Sequence, residues 1–388
     1  MELIQEYKKN FASLPQFAAR APGRVNLLGE HIDYNAGPVL PVAIDRDVRI
    51  AASPTGDRIV RLHALDLDQS VSFSLDLLAQ KIDLEGKPLP AWAYYPAGAA
   101  WALEEAGFPA TGINVVYSSD VPIGAGLSSS AAVEVAFAVL WQALGGWEMD
   151  RMTLAKHCQR AENGYVGVSC GLMDQFASAH GVKGHALYFD TRSLEWHPAP
   201  IPEGLSVVIA DSNVRRSLAN SAYNERRASC EKAVEILKLS LPNIHSLRDV
   251  SPTEFAAYSD HLPEIVRKRA EHVVHEIARV ESAVIALNRN EPRSFGAFMF
   301  AGHASLRDLY EVSTPELDEL VEIARKIPGC IGARLTGAGF GGCTVNLVET
   351  ASAEAFIPKL IDGYQMSTGR KAQVYRCQAS QGAEAMEL

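Results

Sequence analysis

Apolar and polar positions change their rhythm partway along this chain. In the first half, FAARAP (17–22), PVLPVAIDRDVRIAAS (38–53), GINVVYSS (112–119) and HALYFD (185–190) run with alternating or continuous apolar, β-branched content between Gly and Pro punctuation, which predicts strands. Residues 129–144 are apolar on nearly every face and meet Gly145-Gly146 as a stop, the pattern of a buried helix. Beyond about residue 190 the texture turns helical. NERRASCEKAVEILKL (224–239), PEIVRKRAEHVVHEIARVESAVIALNR (263–289) and TPELDELVEIARKI (314–327) place apolar residues at helical spacing opposite charged faces. One strand, GARLTGAGFGGCTVNLVE (332–349), is expected after them.

No fixed-period repeat or low-complexity linker interrupts the chain, so the change of texture sets the expected division into an N-terminal domain over 1–190 and a C-terminal domain over 191–388. Length agrees, because 388 residues exceed the roughly 250–300 that one core organises. Hydrophobic content of 47% and charged content of 21% describe an ordinary globular protein. Its 36 basic and 46 acidic side chains leave a formal charge of −10. That balance disfavours nucleic acid and anionic membrane as partners and requires any phosphate site to be built locally from loops. The N-terminal MELIQEYKKNFASL lacks the apolar core of a signal peptide, and no stretch reaches the roughly 18 apolar residues of a membrane span, so the cytosol is the expected compartment. Six scattered cysteines without C-x-x-C pairs suit reduced thiols rather than disulfides or zinc.

Three segments carry candidate chemistry. DVPIGAGLSSSAA (120–132) sets two glycines and three serines at the mouth of the buried helix. There, unpaired N–H groups and a partial positive charge form an anion cradle; a glycine turn followed by serine N-caps is the plainer reading. No G-x-x-x-x-G-K-[ST] occurs, nor H-R-D or D-F-G, which excludes a P-loop ATPase and a protein kinase. APGRVNLLGEHIDYNAG (21–37) packs Arg24, Asn26, Glu30, His31, Asp33, Tyr34 and Asn35 into a short span, a density of hydrogen-bonding groups that suits a polyhydroxylated ligand. A solvated polar loop is the alternative, and a metal site through Glu-His-x-Asp a lesser one. LTGAGFGGCTVNLV (335–348) matches G-x-G-x-x-G at Gly337, Gly339 and Gly342, yet a β-type run follows instead of a helix; a tight loop approaching the active site replaces the dinucleotide reading.

Two further segments leave their alternatives open. Asp174, after the Gly-containing turn of ENGYVGVSCGLMDQF (162–176), is either a helix cap or a base for a hydroxyl proton. SNVRRSLANSAYNERR (212–227), following the strand LSVVIAD, is a ligand-lining loop or a surface loop.

Taken together, GRVNLLGEHIDYNAG, VPIGAGLSSSAA, CGLMDQF, SNVRRSLANSAYNERR and LTGAGFGGCTV resemble the motifs of galactokinases in the GHMP small-molecule kinase superfamily over almost the whole chain. The resemblance implies an α+β fold of two domains, the N-terminal one like ribosomal protein S5 domain 2 and the C-terminal one ferredoxin-like, with the active site between them. It implies ATP- and Mg²⁺-dependent phosphorylation of the C1 hydroxyl of D-galactose, the first committed step of galactose catabolism, by a cytoplasmic monomer. Carried over by motif, Glu30, His31, Asp33, Gly171, Asp174 and Tyr223 hold galactose, and the catalytic Arg24 and Asp174 flank its anomeric hydroxyl. Gly124, Ala125, Gly126, Leu127, Ser128, Ser129 and Ser130 wrap the triphosphate, Trp92 and Tyr95 contact adenine, and Ser130 and Glu162 match Mg²⁺ positions. Ile32 stands where threonine is common and Pro38 where a larger apolar residue is usual. The competing readings are a GHMP kinase for N-acetylgalactosamine or arabinose, and a non-catalytic galactose sensor.

Overall fold

The computed structural model describes residues 2–122, 124–215 and 219–388; Ile123 of the glycine-serine segment, and Arg216, Ser217 and Leu218 of the polar 212–227 segment, lie outside the described residues. The first half builds a six-stranded sheet in the order Glu384–Glu387, Phe17–Asn26, Pro41–Pro54, Ile113–Ser119, Ile59–Ala64, Gln69–Ser74. Its first strand comes from the far end of the chain and pairs Glu384 to Glu387 antiparallel with Arg20 to Phe17. The pairing of Phe17–Asn26 with Pro41–Pro54 shifts register between Pro22 and Arg24, a bulge of the kind that re-aims a side chain beside a site. The Arg24 N–H leaves the ladder to bond Leu127 O at 3.1 Å, which ties this strand to the glycine-serine loop.

The apolar run after that loop forms the helix Ser129–Gly145, buried along most of its length from Ala131 to Trp141 and ended by Gly146 in the left-handed region. It packs on Phe17–Asn26 and Pro41–Pro54, so its N-terminus is fixed at the end of the sheet. Strands Pro38–Val39, His185–Asp190 and Trp196–Pro200 form a small third sheet.

In the second half, Leu205–Asp211, Cys330–Thr336, Cys343–Glu349 and Gln373–Cys377 form one antiparallel sheet. Numbered 1 to 4 along the chain, these strands lie side by side in the order 2-3-1-4, with helices between the first and second and between the third and fourth. That is the split β-α-β arrangement of ferredoxin-like domains. The stretch 332–349, expected as one strand, is a hairpin of two, because Gly337, Gly339, Gly341 and Gly342 all take positive φ and turn the chain between them. The expected helices appear as Ala219–Leu237, Glu264–Asn288 and Pro315–Lys326.

The two halves are stitched together next to the site. Thr336 Oγ1 accepts from Asn26 N–H at 2.9 Å and donates to Asn26 O at 3.1 Å. All six cysteines are free thiols, and among the described residues no helix is long and apolar enough to cross a membrane.

Candidate active site

Two cavities meet at one ion pair. Arg24, buried, donates through Nε to Asp174 Oδ1 at 2.8 Å and through Nη2 to Asp174 Oδ2 at 2.6 Å, the forked geometry that fixes both planes. Its remaining Nη1 donates to Gly126 O at 2.7 Å in the glycine-serine loop. Asp174 lies in the first turn of the helix Met173–His180. Ser128 precedes the Ser129–Gly145 helix but does not cap it; its hydroxyl donates to Asp174 Oδ2 at 2.5 Å. Asp174 is therefore held by a guanidinium and a hydroxyl from two different segments.

On one side of the pair lies a cavity of about 300 Å³ lined by Arg24, Glu30, His31, Asp33, Gly171, Asp174 and Tyr223 among others. Burial lifts the Asp33 carboxyl to about 6, the Asp174 charge adding to the rise while the backbone N–H of Tyr34 opposes it. Gly171 is required here, because a Cβ at this position would collide with Asp33 Oδ2. The His31 ring is fixed at both nitrogens, Nε2 lying 3.0 Å from Ala338 O and Nδ1 2.9 Å from the Tyr34 hydroxyl. A carbonyl only accepts, so Nε2 carries the hydrogen and Tyr34 donates to Nδ1. Burial holds His31 down at about 4, so it is neutral at pH 7. The Tyr223 ring packs 5.3 Å from that of His31 and 5.4 Å from that of Tyr34.

On the other side lies a cavity of about 530 Å³ bounded by Gly124, Gly126, Leu127 and Ser128 to Ser130, with Trp92 and Tyr95 on its wall. The helix N-terminus faces it with the loop's backbone, the arrangement that receives phosphate oxygens. Ala125 is fully buried in the core behind the loop. Trp92 Nε1 donates to Gln69 Oε1 at 2.6 Å, which sets the indole plane. Asp66, Tyr117 and Ser119 share this wall, and no motif in the sequence signals them.

Glu162, on a π-helical turn over Ala161–Val166, is buried. Burial raises its carboxyl, the Asp174 charge adds to the rise, and hydrogen bonds from Cys170, Ser130 and Gln175 oppose it. The Ser130 hydroxyl and the Glu162 carboxylate are hard oxygen donors that suit a Mg²⁺ ion completed by phosphate oxygens and water. No group of three His, Cys, Asp or Glu among the described residues forms a self-sufficient metal cage. Behind Glu162, Gln175 Nε2 donates to its Oε2 at 2.6 Å and to Glu134 Oε2 at 3.1 Å. Glu134 is fully buried; a lone acid in an otherwise apolar helical run was the signal that sequence reasoning passed over.

Comparison with known proteins matches the galactokinase galactose-binding signature to residues 5–54, the N-terminal domain of GHMP kinases to 94–182 and their C-terminal domain to 283–364. A galactokinase of Roseiflexus sp. is 47% identical over 98% of this chain and 96% of its own. The chain belongs to the galactokinases. The galactokinase of Homo sapiens is 42% identical over 100% of this chain and 96% of its own. The crystal structure of Lactococcus lactis galactokinase complexed with galactose superposes with a TM-score of 0.92 at 34% identity, covering 99% of this chain and 98% of the other. Methanococcus jannaschii mevalonate kinase, at 20% identity and a TM-score of 0.67 over 94% of this chain and 99% of its own, shares the fold. Membership of the galactokinases makes the chain a kinase and implies ATP as its phosphoryl donor.

Proposed function

We propose that this galactokinase transfers the γ-phosphoryl group of ATP to the anomeric hydroxyl of galactose, giving galactose 1-phosphate and ADP. The observation that carries the reading is the position of the Arg24–Asp174 pair, which lines the carboxylate-walled cavity and the glycine-loop cavity at once. A sugar in the first and a triphosphate in the second meet at this pair, beside the Gly337-Ala338 turn that also borders both cavities.

In this reading the Glu30 and Asp33 carboxylates accept sugar hydroxyls, Gly171 leaves room for them, and His31 and Tyr223 wall the ring. Residues 124 to 130 wrap the phosphates, and Trp92 and Tyr95 flank adenine. Mg²⁺ held by Ser130, Glu162 and phosphate oxygens supplies charge neutralisation when bound. Phosphoryl transfer asks the protein mainly to position reactants and balance charge. Asp174 accepts the hydroxyl proton as that oxygen bonds the γ-phosphorus, and Arg24 faces the charge on the transferred group. We place the division between the domains near residue 190, with 384–387 returning to the first, and take the working form to be a cytoplasmic monomer.

Coupled ADP release with Mg-ATP against galactose, glucose, N-acetylgalactosamine, arabinose and mevalonate tests the reading. Turnover is expected largely with galactose; turnover confined to another member, or none at all, overturns it.

A pH dependence follows from the two sugar-facing acids. Burial raises Glu30 to about 7 and Asp33 to about 6, so each takes up its proton at higher pH than an exposed acid does. A protonated carboxyl gives up an acceptor, so the expected loss lies on the acid side. The galactose kcat/KM, which reports the free enzyme's ionisations, should level off above about pH 8 and fall as pH drops through about 7 and then 6. A profile flat from pH 7.5 down to 5.5 contradicts a role for these carboxylates as acceptors.

A further inference from the structure

The wall of the sugar cavity rests on charges that the first half of the chain does not supply. Arg334, on the strand Cys330–Thr336, is fully buried. Its Nη1 donates to Glu276 Oε1 at 2.8 Å, and its Nη2 makes an ion pair with Glu30 Oε2. Glu276, on the helix Glu264–Asn288, also accepts the Gly29 N–H at 2.9 Å through Oε1 and pairs with Arg279 through Oε2. Two residues of the sugar-binding loop, Gly29 and Glu30, are thus gripped by side chains about 250 and 300 positions away.

The two acids of this cluster are not equivalent. Burial alone raises Glu276, but Arg334 and Arg279 outweigh it and hold the carboxyl well below the usual range. Glu30 has one close guanidinium; burial lifts it against the pull of Arg334, with Glu276 adding and the more distant Arg24 opposing. Among the described residues Arg334 Nη2 is the one side-chain donor that reaches the Glu30 carboxylate, at Oε2, and Oε1 has no side-chain partner although the side chain is almost wholly buried and lines the sugar cavity. A buried carboxylate with so few donors is costly, and its charge here depends chiefly on the Arg334 guanidinium behind it. Room for that cation is built in: a Cβ at Gly302 would come 2.6 Å from Arg334 Nη1.

We infer that Arg334 is a positioning residue for the sugar site: reaching across from the second half of the chain, it holds the Glu30 carboxylate in the cavity wall as an acceptor for a substrate hydroxyl. The inference rests on the reading of this cavity as the galactose site and adds to it the residue that makes Glu30 competent.

The test is steady-state kinetics on the full chain with galactose and ATP varied separately, for the wild type, Arg334→Lys, Gly302→Ala, Glu30→Gln and the Arg334→Lys/Glu30→Gln double variant. Lysine keeps the charge but loses the fork that serves two acids. Gly302→Ala leaves Arg334 in the chain and displaces its head, so it carries the test should Arg334→Lys not fold. Either single change should raise the galactose KM about 10- to 100-fold, the worth of one hydrogen bond to a charged group, while the ATP KM stays within about threefold. In the Glu30→Gln background Arg334→Lys should add less than about twofold, because the group it serves is gone. An unchanged galactose KM, equal rises for both substrates, or full additivity with Glu30→Gln overturns the role of Arg334 alone. A wild type that does not turn over galactose overturns the sugar reading itself.

Discussion

Asp174→Asn lowers kcat by about 10² to 10⁴, the usual worth of a positioned general base. The substitution conserves size but leaves one acceptor oxygen where the carboxylate has two, so one arm of the Arg24 fork is lost, and an amide cannot take up the hydroxyl proton as phosphorus is attacked. Nucleotide affinity should stay within about threefold of wild type, because the backbone N–H groups of residues 124–130 are retained and only the Ser128 hydroxyl contact is altered; isothermal titration with ADP and Mg²⁺ checks this. Coupled ADP release then separates proton transfer from orientation. The variant's amide can still orient a hydroxyl, so turnover within about tenfold of wild type reduces Asp174 to an orienting group.

Arg24→Ala has a similar expected effect through a different term. The guanidinium bonds Asp174 twice and Gly126 O once, so it joins the proposed base to the glycine-serine loop and sets a cation at the meeting point of the two cavities. Removing a preorganised donor that faces developing charge costs about 10² to 10³ in kcat. Arg24→Lys should recover little of it, because an ammonium cannot make the forked contact. The loss should appear in kcat; a rise in either KM at unchanged kcat means that Arg24 binds ground-state substrate only. Thermal melting of both variants guards against a trivial cause, since Arg24 is buried.

These predictions concern residues that local sequence exposes, and the reason is physical. Glycines and serines at the mouth of a largely apolar helix mark either an anion cradle or a capped turn, and the family motif decides between them. The close set Glu30, His31, Asp33 reads as a ligand-binding or a solvated polar loop, and again the family motif decides. The helix stop at Gly145-Gly146, the buried run before it and the helices of the second half were legible for the same reason, because backbone preference and apolar spacing act over a few residues. The hairpin at 337–342 was legible only in part: its glycines read as a tight loop, but the strand character of both flanks made 332–349 one strand, where the positive φ values of those glycines turn it into two. The polar segment 212–227 yields Tyr223 in the lining of the cavity that holds Glu30, His31 and Asp33, while Arg216, Ser217 and Leu218 lie outside the described residues.

By itself, then, the sequence determined the kinase family and singled out the glycine-serine loop and the group Glu30, His31, Asp33 as the residues proposed for phosphate and sugar. Only the tertiary structure decided how those parts act on one another. Ser128 serves Asp174 instead of capping its helix, and His31 spends both ring nitrogens on Tyr34 and Ala338. Gln175 joins Glu134 to Glu162, and Arg334 with Glu276 grips the loop that carries Glu30. Charge and hydrogen bonding act over a few ångströms of space, whatever the separation along the chain, so a buried arginine about 300 positions from its partner leaves no local pattern to read.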